Sequence, residues 1–233
     1  PSPIFVNAFT EETPEGWRMG DNAPPEAVTT ATDANSEGPF LRVTADGSGA
    51  AGKVVIFNTT TAWAGDWRNR THVGFDARAN APLQLRVVLK GGGQTVVSTV
   101  SARVPGDGAW HHFDLPVTPD AFTGGDAAAA LAAVTEVRIA HLPDPAAPSP
   151  NLVARLDLDF VAPYRLPPVC GDGVAEGDEA CDGEDLGGGS CEDEGWGTVG
   201  DVACNATCDG WVYTDCEGVC GDGHPDPDDD GNP

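Results

Sequence analysis

The sequence predicts an all-β protein: an antiparallel β-sandwich of the jelly-roll type, followed by a small, irregular, disulfide-rich module. Three observations predict it. Short β-branched runs alternate between apolar and polar residues, 30 Gly and 20 Pro supply turns among 233 residues, and all seven cysteines lie between Cys170 and Cys220. Alternation with period two is typical of half-buried antiparallel strands, and regularly spaced short strands favour a sandwich.

Eight strands are predicted in the first 165 residues. In Leu83–Val87 the apolar side chains share one face, and Leu156, Leu158 and Phe160 are expected to face inward while Arg155, Asp157 and Asp159 face outward. The eight runs are Phe40–Ala45, Lys53–Phe57, Val73–Arg78, Leu83–Lys90, Thr95–Val104, Trp110–Leu115, Val137–His141 and Val153–Val161.

Turns and one helix are predicted between these strands. Gly91-Gly92-Gly93 predicts a hairpin connection, because glycine accepts positive φ without strain. Asp126 is a good N-cap for a helix over Ala127–Val134, an alanine-rich run.

Charge divides the chain into two domains, at 1–165 and 166–233. The net charge is −25, yet residues 170–233 contain 19 Asp or Glu and no Lys or Arg. The Pro-rich stretch Pro163–Val169 reads as the linker. Such acidity makes nucleic acid a poor partner, and no apolar run approaches the roughly 18 residues of a membrane helix.

The cysteines predict disulfides and an extracellular or cell-surface location. A module of this size with few large apolar residues cannot be stabilised by burial alone, and disulfides persist outside the reducing cytosol. Zinc is the alternative, since Cys204/Cys208 and Cys216/Cys220 have ligand-like spacing. The chain opens with Pro-Ser-Pro, so we expect a mature or trimmed product.

Three intrachain bonds are expected within 170–216, among Cys170, Cys181, Cys191, Cys204, Cys208 and Cys216. Cys220 is then the odd cysteine. It opens a second, incomplete repeat and is left as a free or orphaned thiol or as an interchain bond.

The first domain resembles the laminin IV type A (laminin B) domain. The resemblance rests on ordered blocks, among them AWAGDWRNRTHVGFDARA at 62–79, LQLRVVLKGGGQTVV at 83–97 and AWHHFDLPV at 109–117. It implies a galactose-binding-like jelly roll without catalytic activity. The sequence departs from that family at Asp159-Phe160, where Asp-Asn is more frequent.

The tail is similar to the cysteine-rich repeat of myxobacterial surface proteins. CGDGVAEGDEACDG at 170–183 and the segment 181–216 carry the similarity, which implies a secreted or cell-surface protein.

Function is predicted from compartment, modularity and missing catalytic motifs. No nucleophile elbow or phosphate-binding loop is present, so no enzymatic activity is expected. The first hypothesis is a secreted or surface structural or adhesive protein that self-assembles. The alternative is a carbohydrate-binding module for an extracellular or matrix glycan, with Trp63 or Trp67 as a ligand platform. The competing interpretation of both tryptophans is that they fill the core or its rim.

Calcium is the expected cofactor, because carboxylates are hard ligands. Asp226, Asp228 and Asp230 reproduce the first half of a calcium loop, but the chain stops before the twelfth position, so a solvated tail is the favoured alternative. Related jelly rolls often hold calcium between the first and last strands, where Glu11 or Glu12 and Asp157 or Asp159 lie; a solvated strand face is the alternative. Asp172, Glu179 and Asp182 could share another ion.

Overall fold

The computed structural model describes residues 7–9, 13–20, 23–34, 36, 38–165, 170–171, 173, 175, 179–191 and 199–217. The chain divides into two compact units, Pro1–Leu166 and Pro167–Pro233. Strands account for 45% and helices for 9%, and the sheets are antiparallel, so the predicted jelly-roll class is confirmed. Within the described ranges, no helix is long and apolar enough to cross a membrane.

The described residues of the first unit form twelve strands and one α-helix. The helix α1 spans Ala127–Ala132, and short 3₁₀ turns occupy Pro25–Ala27, Gly49–Ala51 and Pro119–Ala121. The strands are β1 (Arg18–Met19), β2 (Val28–Ala31), β3 (Phe40–Asp46), β4 (Val55–Asn58), β5 (His72–Ala79), β6 (Leu83–Gly91), β7 (Gln94–Ser98), β8 (Ala102–Val104), β9 (His111–Pro116), β10 (Phe122–Thr123), β11 (Val134–His141) and β12 (Val153–Tyr164).

These strands form two antiparallel sheets. The seven-stranded sheet has the order β1-β4-β11-β6-β7-β10, with β8 also paired to β6, and the five-stranded sheet has the order β2-β3-β12-β5-β9. Alternate residues of each strand enter one shared core, as Leu85, Val87 and Leu89 do in β6. The intervening side chains are left to build the outer face of each sheet.

Most predicted strands are present, with shifted ends. The predicted run Thr95–Val104 is interrupted, because β7 ends at Ser98 and β8 begins at Ala102. The short strands β1, β2 and β10 were not predicted. The helix is present but shorter than predicted, because it ends at Ala132 and Val134 begins β11. Its predicted cap is confirmed: the Asp126 side chain accepts a hydrogen bond from the Ala129 backbone N–H at 3.0 Å. The predicted turn is also present, since Gly92 and Gly93 have φ of 54° and 75°.

Three tryptophans and one asparagine close the edge of the core. The Asn7 Oδ1 accepts hydrogen bonds from the indole N–H of Trp17 at 3.0 Å and of Trp63 at 2.7 Å. The Trp67 indole N–H donates to the Trp63 carbonyl at 3.1 Å. The rings are in contact, with centroids 5.0 Å apart for Trp17 and Trp63 and 5.9 Å apart for Trp63 and Trp67.

Phe160 does not face inward as predicted. The pairing of β12 with β5 shifts between Asp159 and Ala162, and Phe160 lies in this irregularity with φ of 49°. Its side chain is 45% exposed. The left-handed region is disfavoured for a bulky residue and tolerated by asparagine.

The second unit is held by disulfides and one hairpin. Cys170 pairs with Cys208 and Cys181 with Cys204, and Cys191 is also disulfide-bonded. The four paired sulfurs are therefore unavailable as zinc ligands. The module is less irregular than predicted, because β13 (Val199–Cys204) pairs with β14 (Trp211–Glu217). The Cys216 side chain and Cys220 lie outside the described residues, as does the predicted second repeat.

We expect Asn7→Ala to lower the free energy of unfolding by about 2–5 kcal/mol, because two buried indole N–H groups lose their acceptor. Urea denaturation, monitored by tryptophan fluorescence, measures this change in the free energy of unfolding. The exposed Asn151→Ala is the matched control and should change stability by less than about 0.5 kcal/mol. Equal stability of the two variants would contradict the assigned role of Asn7.

We expect Phe160→Asn to stabilise the protein by about 1 kcal/mol, because asparagine tolerates the left-handed backbone at little packing loss. Thermal denaturation should show a raised Tm. Val153→Asn, an exposed position in the same strand, should give no increase. A lowered Tm for Phe160→Asn would show that packing of the ring outweighs backbone strain.

Candidate functional site

The register of the seven-stranded sheet aligns outward-facing side chains into rows. Arg18 pairs with Phe57 of β4, Phe57 with Arg138 of β11, and Arg138 with Val88 of β6, which pairs with Val97 of β7. These residues come from five strands but form one line across the sheet. A second row joins Glu136, Lys90 and Thr95.

A groove of about 710 Å³ lies over these rows. Its apolar part contains Val88, Ala140 and Leu142, which form a small buried cluster with Val55 and Val97. The segment that follows β11 contributes Pro145, Ala147, Pro148 and Ser149, and residues near the 3₁₀ turn at Gly49–Ala51 contribute Ala50 and Lys53. This volume is within the range of small-molecule and oligosaccharide-sized clefts.

Buried Arg86 fixes the wall of the groove beside Leu142. Its Nε donates to the Leu142 carbonyl at 2.9 Å, and its Nη1 donates to the Ser98 carbonyl at 2.8 Å. These bonds tie the segment after β11 to the end of β7. Ser149 lines the same groove, and its buried Oγ has no hydrogen-bond partner among the described residues. A buried hydroxyl without a partner is energetically unfavourable, and a polar ligand in the groove could satisfy it.

Charged side chains occupy the other part of the groove. The Arg18 and Arg138 guanidinium carbons lie 4.7 Å and 5.8 Å from the centroid of the Phe57 ring. Glu136 forms ion pairs with Arg138 and, at 3.1 Å, with Lys90. Burial opposes ionisation of Glu136, but hydrogen bonds from Arg138 and Lys90 outweigh it and lower its pKa. Glu136 is therefore a carboxylate held between two cations.

The outer face of the five-stranded sheet is closed by a different network. Asp157, 1% exposed, accepts hydrogen bonds from Arg42 Nε at 2.8 Å and Arg78 Nε at 2.9 Å. Arg78 also pairs with Asp33, and its guanidinium lies 4.6 Å from the Trp110 ring centroid. The prediction that Asp157 binds calcium is wrong, because two arginines occupy its oxygens.

The predicted ligand platform is also wrong. Trp63 and Trp67 are 1% and 0% exposed, so neither presents a ring face to solvent. The competing interpretation, that they fill the core, is the one the structure supports. The physical reason is that each indole N–H donates to an acceptor inside the protein, so both rings can be buried completely.

The other predicted calcium ligands have varied outcomes. Asp159 is 7% exposed, and its Oδ1 accepts the Phe160 N–H at 2.8 Å. Asp182 is fully buried and accepts the backbone N–H groups of Gly171 and Gly173, which gives it a structural role in the cysteine module. Cys170, Asp182 and Cys208 lie close together, but their sulfurs are in a disulfide. Glu11, Glu12, Asp226, Asp228 and Asp230 lie outside the described residues, so calcium there stays a prediction.

The groove residues were missed by sequence reasoning. Arg18, Lys53, Lys90 and Arg138 are spread over 121 positions and share no motif. The outward positions of β6 and β11 do follow from alternation, so Lys90 and Arg138 could have been placed on one sheet face. Their approach to Arg18 required the pairing of β1 with β4.

Similarity to solved structures concerns the fold. This chain is similar to part of an exo-β-agarase, with a TM-score of 0.53 and 11% identity over 72% of this chain and 25% of that chain. The chain thus spans a quarter of the agarase. A family 28 carbohydrate-binding module specific for non-crystalline cellulose gives a TM-score of 0.47 at 14% identity, covering 70% of this chain and 95% of that one. The family 11 module of cellulase Lic26A-Cel5E from Clostridium thermocellum gives 0.46 at 14% identity, covering 71% and 97%.

No protein-family model matches the sequence, and no curated protein matches it. The resemblances to the laminin IV type A domain and to the cysteine-rich repeat therefore stay predictions.

We expect Asp157→Asn to lower the free energy of unfolding by about 3–5 kcal/mol, because Arg42 and Arg78 lose their shared buried carboxylate. Urea denaturation measures the loss, and the exposed Asp120→Asn serves as control with a change below about 0.5 kcal/mol. The ion-pair role would be wrong if a chelator lowered the wild-type Tm and Asp157→Asn abolished that response.

Proposed function

We propose that the first unit is a carbohydrate-binding module whose ligand lies in the groove on the outer face of the seven-stranded sheet. The groove itself is the observation that carries the proposal. It joins an apolar surface of valine, alanine and leucine to guanidinium, ammonium and hydroxyl groups. Sugar rings present C–H groups and hydroxyls together, so both halves of this surface have a counterpart on a glycan.

Polar groups in the groove support recognition of hydroxyl-rich ligands. Arg18, Lys53 and Thr95 provide hydrogen-bond donors, and the Ser149 Oγ lacks a partner among described residues. Arg86 and the sheet register hold the groove in place without a ligand. Such preorganisation lowers the entropy lost on binding.

The fold is consistent with this function. An exo-β-agarase, named for its action on a polysaccharide, contains a region of the same fold. Because a fold alone does not determine function, this similarity supports the proposal only together with the groove.

The groove and its polar groups favour glycan binding over the first hypothesis, a self-assembling structural or adhesive protein. They also support binding over catalysis. Among the described residues that line the groove, Glu136 is the single acid, and two cations hold it ionised. A glycosidase needs a pair of carboxyl groups with separate roles. The disulfides of the second unit support an extracellular setting, where glycan partners are found.

A glycan array with the full chain and two tryptophan variants tests the proposal. Val97→Trp places an indole in the groove and should abolish binding, whereas Val153→Trp adds the same side chain to an exposed position outside it. We expect the wild type and Val153→Trp to bind the same glycans. Circular dichroism checks that both variants are folded.

Two results would contradict the proposal. One is the absence of any wild-type binding across the array. The other is equal binding by folded Val97→Trp, which would place the glycan elsewhere.

A further inference from the structure

The groove is cationic in a strongly acidic protein. The chain has 12 Lys and Arg against 37 Asp and Glu, yet four of the 12 line this groove: Arg18, Lys53, Lys90 and Arg138. Glu136 is the only acid among the described lining residues. The local formal charge of these residues is therefore positive, opposite to that of the molecule.

Glu136 does not neutralise the whole set. Its carboxylate pairs with Lys90 and Arg138, so one negative charge serves two cations. Within the described part of the chain, Arg18 and Lys53 form no ion pair, and Arg18 instead lies against the Phe57 ring. Lys53 is half-buried and lines the groove two residues before Val55, the first residue of β4.

Ion pairs with Glu136 account for Lys90 and Arg138, but no ion pair among the described residues accounts for Arg18 and Lys53. Like charges that share one surface destabilise the folded state, and acidic residues are abundant enough to compensate them. Charges farther than about 10 Å are largely screened at 0.1 M salt, so acids beyond that distance do not cancel the groove's field. A negatively charged ligand bound in the groove would compensate these cations.

We propose that the groove takes a glycan bearing anionic groups, either carboxylates or sulfate esters, with Arg18 and Lys53 as the residues that contact them. This inference rests on the proposed function and names its ligand class. Arginine and lysine donate charge-assisted hydrogen bonds to both groups, and these are stronger than bonds to a neutral hydroxyl.

A polysaccharide fits better than a nucleic acid. Nucleic acid carries a dense line of phosphates that would meet the acidic remainder of the protein as well as the groove. An acidic glycan spreads its charges farther apart, and its rings can rest on the half-buried Val55 and Val97 between them.

The test uses the full chain on an array that pairs neutral glycans with carboxylated and sulfated ones, followed by calorimetry. Dextran against dextran sulfate, and hydroxyethyl cellulose against carboxymethyl cellulose, serve as matched probes in solution. We expect acidic members to bind and their neutral partners to bind at least about tenfold more weakly. Preference for one acidic series distinguishes sulfate from carboxylate.

Variants assign the contact. Arg18→Gln and Lys53→Gln should each weaken binding of the acidic glycan about five- to tenfold and reduce its dependence on salt. Arg155→Gln removes an arginine that is 48% exposed on the outer face of the other sheet, and it should leave affinity unchanged.

Each other outcome overturns the inference. Binding confined to neutral glycans, or equal loss in Arg155→Gln and Arg18→Gln, removes the ligand class but leaves the proposed function. Displacement of the glycan by duplex DNA at equal phosphate concentration would mean unspecific anion binding. Absence of all glycan binding would remove the proposed function together with this inference.

Discussion

The first unit depends on the shared hydrogen-bond acceptor of Asn7. Its Oδ1 receives the indole N–H groups of Trp17 and Trp63, and its backbone bridges to Val161 of the five-stranded sheet. One polar side chain thus allows two large aromatic residues to be buried and joins the segment before β1 to the opposite sheet. Because Trp17 is anchored, Arg18 follows in β1 beside Phe57 of β4. The position of a groove residue therefore derives from a buried interaction in the core.

The outer faces of the two sheets differ in how far their charges are compensated by neighbouring side chains. On the five-stranded sheet, Asp157 is buried between Arg42 and Arg78, and the aromatic rings there are covered by guanidinium groups. That face is complete without a ligand. On the seven-stranded sheet, Glu136 is the single described acid in a groove with four cations, and a hydroxyl lies buried without a described partner. Among the described residues, two cations without an ion pair and the buried Ser149 hydroxyl therefore lie in one concave surface, and this arrangement favours the proposed ligand binding there.

Much of the fold could be predicted from the sequence, and the site could not. Period-two alternation located β3, β5, β6 and β12, and the Asp126 cap located the helix. Two-residue strands such as β1 have no period to detect. The burial of Trp63 depended on an acceptor 56 residues away in the sequence, which no local pattern reveals. The net charge also gave no indication of the cationic groove, because −25 describes the whole chain. Strand pairing brings positive residues from four distant segments of the sequence into one groove.

Mapping the contact surface by nuclear magnetic resonance tests the central claim most directly. The ¹⁵N-labelled full chain would be titrated with an acidic oligosaccharide at moderate salt, and shifts of backbone and arginine Nε–H signals followed. We predict saturable shifts along β1, β4, β6 and β11, with the largest at the Arg18 side chain and at the Lys53 backbone amide. Shifts centred on Trp110 and Arg78 of the other sheet, or no saturable shifts with any carboxylated or sulfated oligosaccharide, would contradict the account.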